Sequence, residues 1–257
     1  MPTPTPTRGR KRSASYWEAS RTHRYSLLFA LPLLLLYEAL AAVLAHDASV
    51  GGVRNGADVL VKSLFTAAAG RRGPLLFMAV VIGVSLWLVR RDLRANGREL
   101  KAWVFGGMVL ESAALSILFG IVVGALTARI LGPLGALAAG ADIEEMGWPA
   151  RLMLSLGAGL YEELLFRVVL VSALANGARL ALGWGRGTAG TVATLLGALI
   201  FSAFHYIGPY GEAWALESFT FRAIAGVMFS ALYLTRGFGI TAWTHAMYDV
   251  MVLMVWS

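Results

Sequence analysis

The sequence predicts an all-α fold: a polytopic membrane helix bundle of about seven transmembrane helices with one candidate interfacial helix. Three observations carry that prediction. Of 257 residues, 58% are hydrophobic and 14% charged, against roughly 45–50% and 25% in soluble domains, and the mean hydropathy is +0.67. The apolar residues gather in runs of about 20, the length a helix needs to cross hydrocarbon. The loops between the runs alternate between basic and non-basic, and the ten-residue alternating segments of a closed barrel are missing.

Residues 1–24 form a basic tail that opens on Pro-Thr repeats, Pro2 to Thr7, and are expected to be disordered and cytoplasmic. A basic flank from Arg8 to Arg24 ahead of an apolar run orients a span, so no nucleic-acid partner is expected. The first run, Tyr25 to Ala45, exceeds a signal-peptide core and lacks a small-residue cleavage site, so it reads as a retained span. The further segments are 74–90, 102–128, 150–175, 188–207, 216–234 and 238–256. Residues 57–69 are short and amphipathic, with Asp58 and Lys62 among Val59, Leu60, Leu64 and Phe65, which suits a helix lying along the interface.

Loop charges test this count independently. The tail and loop 90–101 are basic, and loops 176–187 and 235–237 carry only positive charge. Loop 46–73 is mixed, loop 129–149 holds Asp142, Glu144 and Glu145, and loop 208–215 has only Glu212. That alternation places the amino terminus in the cytoplasm of a multi-pass protein. High Ala, Gly and Arg content suggests a bacterial inner membrane. Residues 25–149 supply amino-terminal transmembrane helices, and residues 150–257 the core that carries the chemistry.

Ionisable groups at bilayer depth cost roughly 2.5–3.5 kcal/mol each on insertion scales and are functional candidates by default. Three of the last four segments hold a concentration of them: Glu162, Glu163 and Arg167 in Tyr161-Glu162-Glu163-Leu164-Leu165-Phe166-Arg167, His205 after Phe201, and His245 followed by Asp249. Two of the four histidines lie here. At 100° per residue Glu163 and Arg167 share a face and suit a pair, whereas Glu162 points about 100° away. The division of labour that follows leaves Glu162 for chemistry; an ion-pair cluster tying helices together is the alternative. His245 and Asp249 also share a face, fit to bind a metal, to hold one imidazole tautomer, or to face a reacting oxygen.

Other hydrolytic sites are absent. The chain contains no cysteine, no His-Glu-x-x-His, no Gly-x-Ser-x-Gly or Gly-x-Ser-Gly, and no Gly-x-Gly-Asp. Glu38, Glu111 and Glu217 interrupt apolar runs and read as structural, with Glu217 a candidate partner for Arg222.

The ordered set Glu162-Glu163-x-x-x-Arg167, Phe201-x-x-x-His205 and His245-x-x-x-Asp249 resembles the CPBP family of intramembrane proteases. This is the CAAX-protease and bacteriocin-processing group that includes the Rce1-type prenyl-protein endopeptidases. The resemblance covers residues 150–255. It implies that Glu162 and His205 activate a water, while His245 and Asp249 stabilise the oxyanion; the spacing of Glu163 and Arg167 gives them the supporting role of organising the helix. Many relatives carry asparagine where this chain has Asp249. The expected function is therefore an intramembrane endopeptidase whose partners are the bilayer and a membrane-anchored or lipid-modified protein or peptide substrate. No cofactor is expected, with zinc the alternative on the same side chains. Two other functions fit the composition: a non-catalytic immunity or assembly factor, and a small proton-coupled transporter, the latter without the internal repeat many transporters show.

Overall fold

The computed structural model describes residues 15–46, 52–132, 147–208 and 211–255, all of them helix, turn or coil without strand. The helices are α1 (Tyr16–Ser20), α2 (His23–Leu44), α3 (Gly56–Ala69), α4 (Gly73–Asn96), α5 (Ala102–Leu131), α6 (Trp148–Leu182), α7 (Arg186–Phe204), α8 (Leu216–Arg236) and α9 (Phe238–Val255). Six stretches among the described residues are long and apolar enough to cross a membrane, the α3–α4 stretch Gly56–Asn96 counting as one. The seventh expected segment coincides with α9. The protein is a multi-pass membrane helix bundle.

One expectation needs correction. The tail assigned to disorder is helical from Tyr16, with Ser15 capping α1 through a reciprocal capping box with Glu18, and α2 already begins at His23. The Pro-Thr repeats and the acidic residues 142, 144 and 145 lie outside the described residues. α3 and α4 are separate helices, as the distinct segments 57–69 and 74–90 lead one to expect. Gly70 takes φ +62°, and a Cβ on Gly73 would collide with the backbone of Phe65 and Thr66, so the chain turns back tightly between them.

α9 is the centre of the bundle, packed against α2, α5, α6 and α8. Small residues make this close packing geometrically feasible. A Cβ on Gly159 of α6 would strike the Ala242 carbonyl and Ala246 of α9, and one on Gly239 of α9 would strike the Ser26 backbone of α2. Gly239 N–H also donates to Ser26 Oγ at 2.7 Å, and Trp243 Nε1 donates to the Phe29 carbonyl at 2.6 Å. The amino-terminal and carboxy-terminal helices thus share one interior.

The span carboxylates outside the chemical cluster have structural partners. Glu111 of α5 holds the Arg236 guanidinium at 2.6 and 2.7 Å and accepts from Tyr16 Oη at 2.5 Å. Burial, with the Glu111 carboxylate beside it, pushes the Tyr16 pKa up, so its hydroxyl stays a donor. Arg236 also lies 3.7 Å over the Trp17 ring and donates to Ser20 Oγ at 2.8 Å, which fastens α1 to the ends of α5 and α8. Glu38 accepts from Arg54, Lys62 and Tyr161. The expected pairing of Glu217 with Arg222 does not form. Arg222 turns instead to Glu212, at 2.5 Å, because the chain after α7 folds back over the start of α8.

Candidate active site

The middle of α6 is wound more widely than an α-helix. Residues Ala158–Val171 are π-helical, a geometry that recurs at functional sites. This segment contains Tyr161, Glu162, Glu163 and Arg167. Glu162 lies 14 residues from Trp148, roughly 20 Å along the helix at 1.5 Å per residue, and is only 7% exposed. It is a carboxylate inside the bundle.

Glu163 and Arg167 pair as their spacing suggests, with Arg167 Nε 3.2 Å from Glu163 Oε2 and both side chains buried. Arg167 also stands 4.4 Å over the Phe201 ring of α7 and 5.8 Å from that of Phe229 in α8. The other Glu163 oxygen accepts from His245 Nδ1 at 2.6 Å. Glu163 therefore joins the α6 cation to the α9 imidazole. A hydrogen bond at Nδ1 fixes the ring orientation and leaves Nε2 outside that bond. The Phe229 ring stacks on the same imidazole, 4.3 Å between centroids and 19° between planes.

Asp249 follows one turn later, but its Oδ1 is 3.7 Å from His245 Nε2, beyond a hydrogen bond. The orienting partner of His245 is thus Glu163 rather than Asp249. His205 terminates α7, and its Nδ1 sits 2.9 Å from the Phe201 carbonyl, which again leaves Nε2 free. Phe201 is the hinge of the group, its ring 5.0 Å from that of His205 and 6.3 Å from that of His245. The Phe201 ring also meets Phe166 of α6, so α6, α7 and α9, the helices that carry Glu162, His205, His245 and Asp249, come together around it. Among the described residues, no three His, Cys, Asp or Glu groups are placed to hold one metal ion.

One partner escaped the sequence reading. Asn55, the cap of α3, donates from Nδ2 to Glu162 Oε1 at 2.8 Å across 107 positions of sequence. Its one legible signal is local: an asparagine directly before an amphipathic helix is a strong N-cap.

Residues 144–251 match the family model for the Rce1-like type II CAAX prenyl endopeptidases. This stretch is an Rce1-like CAAX-protease domain. It contains Glu162, Glu163, Arg167, His205, His245 and Asp249, and leaves Asn55 and α1 to α5 outside. No curated protein and no solved structure matches the chain. The Rce1-like domain supports an intramembrane endopeptidase in general, with a membrane-anchored substrate.

Proposed function

We propose that this protein hydrolyses a peptide bond of a membrane-anchored or lipid-modified substrate with a water activated by Glu162. The observation that carries the reading is the buried Glu162 carboxylate on α6, beside a Phe201 ring that contacts both His205 and His245, imidazoles whose Nδ1 atoms are each engaged. A carboxylate shielded from bulk water is a competent general base for a water held between it and an imidazole. In this scheme Glu162 takes the proton, His205 orients the water, and the attack forms a tetrahedral intermediate at the scissile carbon. Collapse of that intermediate transfers the proton to the departing amine.

Preorganised donors stabilise the developing oxyanion where water is excluded. His245 suits that task as the imidazolium, because Glu163 and the Phe229 ring fix its ring and take Nδ1–H, leaving an Nε2–H to donate only when both nitrogens are protonated. Asp249 supplies a second polar group on the same face of α9, serving as a donor in its protonated form. Glu163 and Arg167 support the site without touching substrate. The scheme uses no metal ion. The amino terminus is assigned to the cytoplasm.

The test is a comparison of membrane-protein termini in cells carrying wild-type protein, no protein, or Glu162→Ala. The reading expects a new terminus on an anchored protein that only the wild type produces. Identical termini in all three strains reject it.

A further inference from the structure

Asn55 belongs to a part of the chain that the family match does not reach, yet among the described residues it makes the one hydrogen bond on the Glu162 carboxylate. We propose that Asn55 is a positioning residue for Glu162, so that the amino-terminal helices complete the hydrolytic site. The inference rests on the protease reading for its catalytic consequence, although the contact itself stands independently of it.

Four observations build the contact. Asn55 is buried and its amide is held at both ends: Oδ1 accepts from Ala57 N–H at 2.9 Å as the cap of α3, so Nδ2 alone faces Glu162. A capped amide has one orientation, which gives the carboxylate a donor and never an acceptor. The backbone is pinned as well, Asn55 N–H donating to Tyr37 Oη at 3.2 Å while Tyr37 Oη donates to Asp58 Oδ2 at 2.9 Å.

Asp58 is in turn held by Arg54 and Lys62, each at 2.6 Å, so the loop before α3 is fastened to α2 and α3 together. Finally, α6 makes room for the contact. A Cβ on Gly157, five residues before Glu162, would lie 2.6 Å from the Tyr37 ring and 2.7 Å from Asn55 Cβ. In the wide turn of a π-helix a five-residue separation brings both positions near one face, so Asn55 rests on Gly157 while its amide reaches Glu162.

A donor locked this way holds one rotamer of Glu162 and leaves its other oxygen for a water. Misplacement of a reacting group by about 1 Å costs on the order of 10²-fold in rate, so loss of this donor falls on kcat and not on KM.

Two measurements on the full-length protein in lipid nanodiscs decide the proposal. The first is a thermal-unfolding cycle of Asn55→Asp, Glu162→Gln and the double variant. Aspartate keeps the cap of α3 but sets a carboxylate against Glu162, so the single Asn55→Asp variant lowers Tm. Adding Glu162→Gln restores a donor between the two positions, and Tm recovers. Additive losses overturn the contact whatever the enzyme does.

The second compares wild type with Asn55→Ser, which also caps a helix but is too short to reach Glu162. The probe is a synthetic peptide spanning the Glu162-dependent cleavage site. The proposal expects kcat to fall roughly 10- to 100-fold with KM unchanged, and an unchanged kcat overturns it. If wild-type membranes yield no Glu162-dependent terminus, the protease reading fails with its catalytic consequence, while the unfolding cycle still decides the contact.

Discussion

Glu163 Oε1 accepts a 2.6 Å hydrogen bond from His245 Nδ1 while Glu163 Oε2 lies 3.2 Å from Arg167 Nε, with all three side chains buried. One carboxylate thus compensates a guanidinium and orients an imidazole across the α6–α9 contact. Removing it leaves a buried cation without its counter-ion, which costs about 3–5 kcal/mol. Glu163→Ala is expected to lose that much in chemical denaturation and to abolish cleavage. A variant as stable as wild type would contradict the pairing.

The ring of Phe229 serves two neighbours, stacked on His245 and 5.8 Å from the Arg167 guanidinium. Phe229→Ala is expected to cost about 3–5 kcal/mol through the cavity it leaves. Phe229→Leu retains most of the volume but not the aromatic face. It should lose less stability than Phe229→Ala yet still slow turnover, read from kcat beside Tm.

Close approach of α6 and α9 requires a glycine at 159, where a Cβ would meet the Ala242 carbonyl. Gly159→Ala forces the helices apart and is expected to cost about 1–3 kcal/mol, the usual scale of overpacking, with loss of the His245–Glu163 bond. Gly190→Ala in α7 is the control, since a Cβ there meets open space. It should match or exceed wild-type Tm.

Glu217 has no ion-pair partner among the described residues, whereas Glu212 pairs with Arg222 near His205. Glu217→Gln is expected to change stability by no more than about 0.5 kcal/mol. Arg222→Gln removes the partner of Glu212, whose backbone N–H donates to the His205 carbonyl at 3.0 Å, and should lower activity more than Tm. Thermal scans and peptide cleavage read side by side separate the two effects.

Much of the fold was legible because apolar run length is a strong local signal. The segment expected at 102–128 is the helix Ala102–Leu131, and that at 216–234 is Leu216–Arg236. The i,i+4 pair of Glu163 and Arg167 was equally local. What stayed hidden depends on contacts between distant segments: Asn55 meets Glu162 across 107 positions, and Glu163 meets His245 across 82. The π winding of Ala158–Val171 was hidden too, because a reading at 100° per residue assumes the regular helix. Tyr16–Ser20 was assigned to a disordered tail because its five residues carry no apolar period. Their anchor is Arg236, at the far end of the chain.

The central claim is that Glu162 activates the attacking water. Its most direct test is the single-turnover cleavage rate of wild type and Glu162→Gln on the same peptide, with Tm recorded for both. Glutamine preserves shape and the bond from Asn55 but cannot take a proton. The account predicts equal stability and a rate loss of roughly 10²–10⁴-fold, the usual contribution of a general base. Equal rates for the two proteins would contradict it.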